Sequence, residues 1–127
     1  MEINDVSYQV RNAIFEVFKH LGPGLLESVY KAALTFELRS AGLTVEQERP
    51  ILVEYKGTEL GLGFRMDLLV EDEIIVEVKS VETLHNVHKK QLLTYLKLSN
   101  KRLGILVNFN ESFLQDKVSL IRIVNRL

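Results

Sequence analysis

Cysteine and tryptophan are missing from the 127 residues, and proline occurs only at positions 23 and 50. Without cysteine there can be no disulfide scaffold, no thiol nucleophile and no thiolate metal site. No apolar run approaches the roughly 18 residues that a membrane span needs. Neither sign of charge dominates: 16 Lys and Arg stand against 17 Asp and Glu, a formal net charge of -1. That balance excludes a histone-like, wholly electrostatic nucleic-acid binder, although it is compatible with a local basic groove. The opening residues Met1-Glu2-Ile3-Asn4-Asp5 are acidic and lack the apolar stretch of a signal peptide. The expectation is a soluble, cytoplasmic protein with no membrane association. What the chain does have is apolar residues, 46% of the total. At this length that is enough for one core, and the expectation is a single domain over residues 1–127.

Two helices are expected first. Val6, Val10, Ala13, Ile14, Val17, Phe18 and Leu21 recur at helical spacing from a start at Asn4 or Asp5 to about His20. Gly22-Pro23-Gly24 breaks the chain, and a second helix runs from Leu25 or Leu26 to Ala41, with Leu26, Val29, Tyr30, Ala33 and Leu34 as its stripe. Gly42 is its expected stop. The period then changes. Thr44–Arg49 and Ile51–Lys56 read as extended chain bent at Pro50, followed by strands at Gly63–Val70 and Ile74–Lys79. A third helix covers Leu84 or Asn86 to Ser99, and strands are expected at Leu103–Phe109, buried on both faces, and Val118–Val124. The order ααβββαββ predicts an α/β (α+β) fold, a mixed central sheet flanked by helices.

The segment that carries chemistry is the hairpin around Glu71-Asp72-Glu73. A three-residue loop there lets two apolar faces coincide, Phe64, Met66, Leu68 and Val70 with Ile74, Val76 and Val78. Val70 then pairs with Ile74, Leu68 with Val76 and Met66 with Val78. The other face places Asp67 opposite Glu77 and Arg65 opposite Lys79. Opposed carboxylates about 4.5–5.5 Å apart repel unless they share a proton or a divalent cation. Two carboxylates and a backbone carbonyl suit Mg²⁺ or Mn²⁺, which keeps most of its waters. Lys79, about 7 Å along the strand from Glu77, could orient a metal-bound water and screen charge developing on a phosphate. The same alternation also fits a solvated strand face, but Leu69 and Ile75 share that face and point to partial cover.

Helical spacing brings His88, Gln91 and Tyr95 into one stripe with Leu84, Val87 and Leu98, so Gln91 and Tyr95 are expected on the inward side. They either satisfy themselves locally or line the site. Glu27 is either a first-turn acid favoured by the helix dipole or a third carboxylate aimed at a metal. Glu37 falls in an apolar stripe and should meet a cation. His20 and His85 read as boundary residues.

Gly24-Leu25-Leu26-Glu27-Ser28-Val29-Tyr30, Gly63-Phe64-Arg65-Met66-Asp67, Glu77-Val78-Lys79-Ser80 and Gln91-Leu92-Leu93-Thr94-Tyr95 together resemble the GxxExxY protein family. That family is a compact branch of the PD-(D/E)XK nuclease superfamily. The resemblance spans roughly Val6 to Phe109. It implies a mixed four-stranded sheet between helices and a Mg²⁺- or Mn²⁺-dependent nuclease acting on DNA, with RNA as the alternative. It implies metal ligation by Asp67, Glu77, the Val78 carbonyl and Glu27, with Lys79 as catalytic lysine. Gln91 and Tyr95 match the Q-x-x-x-Y element of the RecB-type branch, near the metal and the nucleic-acid backbone. Met66 departs from the proline that often precedes the aspartate, at a variable position. Lys89, Lys90, Lys97, Lys101 and Arg102 are candidate nucleic-acid contacts, with the far side of the helix as the alternative for Lys90 and Lys97, and the cluster fits a solvated helix surface equally well. Two rival readings stay open: a non-catalytic nucleic-acid- or protein-binding module on the same fold, and a homo-oligomeric assembly protein whose last strand, with Leu127, reaches a neighbour.

Overall fold

The structure is a computed structural model that describes residues 1–126. The expected order is observed: α1 (Ile3–Leu21), α2 (Glu27–Ser40), β1 (Val45–Tyr55), β2 (Thr58–Val70), β3 (Ile74–Lys79), α3 (Asn86–Ser99), β4 (Leu103–Asn108) and β5 (Leu120–Val124). The fold is α+β with a mixed central sheet. Its five strands lie in the order β1-β2-β3-β4-β5. Every pairing is antiparallel except β3 with β4. A parallel pair needs a crossover, and α3 supplies it. Leu127, invoked in the assembly reading, lies outside the described residues.

Two cores sandwich the sheet. Val6, Val10, Ile14 and Val17 of α1 and Tyr30, Leu34 and Leu38 of α2 pack on Leu68, Val70, Ile74, Val76 and Val78. On the other face, Leu92, Tyr95 and Leu96 of α3 pack on Ile51, Met66, Leu69, Ile75 and Leu106. All six residues of β4 are buried, as its unbroken apolar run requires. Among the described residues, no helix is long and apolar enough to cross a membrane.

Several local expectations change. The caps at Asn4 and Asp5 are not used: α1 starts at Ile3 after Glu2, with no side-chain cap. β1 runs through Pro50 without a break, because β1 is an edge strand and the missing N–H leaves no ladder bond unmade. The ribbon β1–β2 is longer than expected, since β2 begins at Thr58. Leu26 and Val29 are exposed, at 74% and 41%. Leu26 precedes the helix, and the buried stripe of α2 is the narrower Tyr30, Leu34, Leu38 series. Val87 and Leu98 are exposed as well. Glu37 meets no cation among the described residues, whereas His20 pairs with Glu16 at 2.8 Å.

Candidate active site

The hairpin register is as expected where the ladder forms: Val70 pairs with Ile74 and Leu68 with Val76 across the Glu71-Asp72-Glu73 turn. Beyond Leu68 the ladder stops. Met66 with Val78 and Arg65 with Lys79 are not pairs, and Lys79 instead aligns with Asn108 of β4. The cause lies in β1 and β2. Their pairing runs from Gln47–Leu68 to Arg49–Met66 and passes over Glu48 and Asp67. Glu48 has φ 53°, a left-handed conformation that side-chain-bearing residues rarely adopt in a strand. Both strands turn over at this point. Leu68 and Val45 face the α1/α2 core, but Met66 and Ile51 face α3. The expected single face from Phe64 to Val70 is therefore divided at Asp67.

Where backbone pairing ends, the two carboxylates replace it. The Asp67 N–H donates to Glu77 Oε2 at 2.7 Å, and the Val78 N–H donates to Asp67 Oδ2 at 2.8 Å. The acids are thus locked to each other's strands and held close. Glu77 is 4% exposed, with Ile75 and Leu69 buried on the same side. Burial, and then the neighbouring Asp67 charge, push the Glu77 carboxyl up to about 8. Burial also raises Asp67, against the Val78 N–H and the charges of Lys31 and Lys79, which act to lower it. Near neutral pH the pair therefore retains a proton between its two carboxylates.

Lys79 sits half-buried at the end of β3, where its charge favours the ionised forms of both acids. Its backbone is fixed on both sides. The Phe109 N–H donates to the Lys79 carbonyl at 2.9 Å, and the Ser80 N–H donates to Glu27 Oε2 at 3.1 Å. Glu27 thus commits one carboxylate oxygen to the Ser80 amide. The Ser80 hydroxyl donates to the Leu25 carbonyl at 2.6 Å. Tyr30 completes this clasp. Its hydroxyl donates to the Gly22 carbonyl at 2.5 Å and accepts from the Leu25 N–H at 3.1 Å, while its ring stacks on Phe109. Gly24 supplies the turn, with φ 98°.

Tyr95 is buried and faces the acids. Burial raises its hydroxyl, followed by the charges of Glu77 and Asp67, and its ring contacts Phe64 at 5.2 Å between centroids. Gln91, expected inward with it, is exposed. At 100° per residue Gln91 lies about 100° from Leu92, the centre of the buried stripe, and so falls on its flank. His88 is nearer that centre. Its imidazole is held below the usual histidine range by burial and then by Lys79, and its Nδ1 accepts from the His85 N–H at 2.9 Å.

A family model described as the PD-(D/E)XK nuclease superfamily matches residues 4–123. The chain belongs to the PD-(D/E)XK nuclease superfamily. No curated protein and no solved structure matched it.

Nucleases of this superfamily often use a divalent cation, and two carboxylates here could donate to one. Asp67 and Glu77 each commit one oxygen to a backbone amide, which leaves Oδ1 and Oε1 as hard oxygen donors. Among the described residues, no group of three or more His, Cys, Asp or Glu is arranged to hold a metal ion. Two carboxylates fit a Mg²⁺ or Mn²⁺ that keeps most of its waters, and do not fit an ion caged by protein.

Three neighbours escaped the sequence reading. Lys31 of α2 reaches Glu48 Oε1 at 2.5 Å and Asp67 Oδ1 at 3.6 Å. Lys31 and Glu48 carried no motif signal; only the kink brings them in. His88 was in the right stripe but had no role assigned. Lys89 is half-buried on α3. Lys101 and Arg102 lie at the other end of the sheet, just before Leu103, which aligns with Ile74. Lys101 binds the Asp72 carbonyl at 2.9 Å and its carboxylate at 3.2 Å, closing the hairpin turn.

Proposed function

We propose that this PD-(D/E)XK protein is a Mg²⁺- or Mn²⁺-dependent phosphodiesterase that hydrolyses DNA, with RNA as the second substrate class, within one nuclease-like domain over residues 1–127. The observation that carries the reading is the Asp67–Glu77 pair: two acids held together at the end of a hairpin, with Glu77 raised to about 8 and Lys79 beside them. A buried pair of like charges is costly in a resting fold, and a divalent cation removes the cost. Asp67 and Glu77, with the Val78 carbonyl, would hold the ion. A divalent ion there supplies polarisation of the scissile phosphate and activation of the attacking water. Lys79, fixed by Phe109 and by the Glu27–Ser80 contact, holds the nucleophilic water in line and balances charge building on the phosphate. Tyr95 orients Lys79 from α3. Gln91, one turn earlier and open to solvent, contacts a phosphate oxygen rather than the metal, and Lys89 contacts the backbone beyond it. Lys101 and Arg102 are left out of this reading because they serve the far end of the sheet. Cytoplasmic action on nucleic acid is part of the same proposal.

The lack of a three-donor metal group among the described residues favours one second reading, a nucleic-acid- or partner-binding module that does not cut. A cleavage assay separates them. Purified protein is incubated with Mg²⁺ or Mn²⁺ and single-stranded, duplex and branched DNA, and with RNA. Metal-dependent cleavage is expected, reduced on the order of 100-fold or more in Asp67→Asn and Lys79→Ala. Binding without cleavage supports the module, and cleavage undiminished in both variants overturns the assignment of the site.

A further inference from the structure

Lys31 is the one cation that α2 sends toward the paired acids, and the chain distorts to receive it. Glu48 sits at φ 53° in the middle of β1, opposite Asp67, where the ladder passes over both residues. Strain of this kind persists only where surrounding contacts hold it. Here the contact is a bridge of three charges across three elements: Glu48 of β1, Lys31 of α2 and Asp67 of β2. The Lys31 and Asp67 side chains are 23% and 18% exposed, so solvent screens their attraction only partly. The ammonium approaches Asp67 Oδ1, the same oxygen that the Val78 amide leaves open. Its shorter contact is to Glu48.

We propose that Lys31, already bonded to Glu48, is the built-in counter-ion of the site: from 3.6 Å it balances Asp67 when no divalent ion is bound and competes with that ion for Asp67 Oδ1, and Glu48 keeps it when the ion enters. This rests on the metal-dependent reading above for its second half only. Lys31 is a positioning residue, acting through Asp67. Glu48 is the anion that keeps it, so that loading the site with a divalent cation does not leave the ammonium facing it unpaired. The strained conformation of Glu48 is what turns its carboxylate toward α2 rather than along the edge of the sheet.

The test uses the full chain and Mn²⁺ alone. Calorimetry should find Mn²⁺ bound about tenfold more tightly by Lys31→Met than by the wild type, because a neighbouring positive charge is gone. Lys31→Arg should stay close to wild type. Glu48→Gln should bind Mn²⁺ more weakly, and that effect should vanish in the Lys31→Met background. A Glu48→Gln loss that persists there would make Glu48 a metal donor and overturn the proposal, as would weaker Mn²⁺ binding by Lys31→Met. Thermal melting in chelator is the metal-free arm. Lys31→Met should lower Tm, and Lys31→Met with Asp67→Asn should restore most of it; no restoration means that Lys31 is only a packing residue and overturns the counter-ion role. If neither the wild type nor Lys31→Met takes up Mn²⁺, competition with a divalent ion is overturned together with the nuclease reading, while the melting result still decides the counter-ion.

Discussion

The Asp67–Glu77 pair holds a proton that free carboxylates would lose in water, and this makes the stability of the metal-free protein depend on pH in a direction opposite to that of an ordinary salt-bridged acid. The ordinary value of Glu77 is 4.5 and its value in the fold is about 8. Between those two pH values the folded state binds more protons than the unfolded chain, so stability falls as pH rises. The contribution is fully present below about 4.5 and is gone above about 8. Asp67 is displaced in the same direction. In chelator, Tm should fall across that window, as the unfolding free energy falls by at most about 1.4 kcal/mol per pH unit for one group. Glu77→Gln, whose amide oxygen can still accept from the Asp67 N–H, should flatten the profile and exceed the wild type above pH 8. Excess Mn²⁺ should reverse the trend, since metal and proton compete for the same oxygens. A flat wild-type profile in chelator would show that the pair is not coupled as described. At this scale the sequence was informative about the acids and uninformative about what surrounds them. Alternation along β2 and β3 is enough to set Asp67 against Glu77. Nothing in the local composition marks Glu48 as a residue with positive φ, since Asn or Gly is the usual occupant. Lys31 therefore remained invisible.

The elements were legible to the degree that their apolar spacing was regular. The stripe of α1 and the unbroken run of β4 are recognisable because burial on one face, or on both, leaves a periodic trace. In α3 the stripe was centred one flank too far round, because Gln91 was counted as inward, whereas Leu92 and Leu96 define the buried side. In α2 the Gly24–Tyr30 signature also works as a clasp on Ser80, through Glu27 and the Leu25 carbonyl. Two variants test how the elements hold the site. Tyr30→Phe removes a hydroxyl that bonds Gly22 and Leu25 while keeping the ring on Phe109. It should cost about 1 kcal/mol of stability and reduce cleavage by more than that loss explains, as judged from Tm and kcat compared on one preparation. Asn108 is fully buried; its side chain accepts from the Val81 N–H at 3.0 Å and donates to the Val81 carbonyl at 2.9 Å, fastening the segment after Lys79 to the end of β4. Asn108→Ala leaves the Val81 N–H unpaired and its carbonyl with only the longer Asn110 amide contact at 3.3 Å, and should cost about 1–3 kcal/mol in denaturant unfolding. An unchanged midpoint would mean that water replaces the amide without loss.

At the scale of the molecule, the sheet brings together what the chain separates. Acids from β2 and β3, a lysine at the end of β3, a carboxylate and a lysine from α2, and a tyrosine from α3 meet where the β2–β3 ladder gives out. The order of elements, the mixed sheet and the hairpin register from Leu68 to Val76 could be read from periodicity and turn length, but not the end of the ladder beyond Leu68. The turn-over of β1 and β2 could not, because it arises from two cores on opposite faces both demanding residues of the same strand. The consequence for function is that the acids stand at a break in backbone pairing, with one oxygen of each not engaged by a backbone amide. Cleavage should accordingly rise with pH up to about 8 and then level off, as the proton of the pair ceases to oppose metal binding. The most direct measurement is the anomalous difference map of a crystal soaked in Mn²⁺. A single peak within about 2.0–2.4 Å of Asp67 Oδ1 and Glu77 Oε1, with Lys31 still on Glu48 and turned away from Asp67 Oδ1, is the expected result. A map with no peak at these two carboxylates, or with the manganese held elsewhere on the chain, would contradict the account.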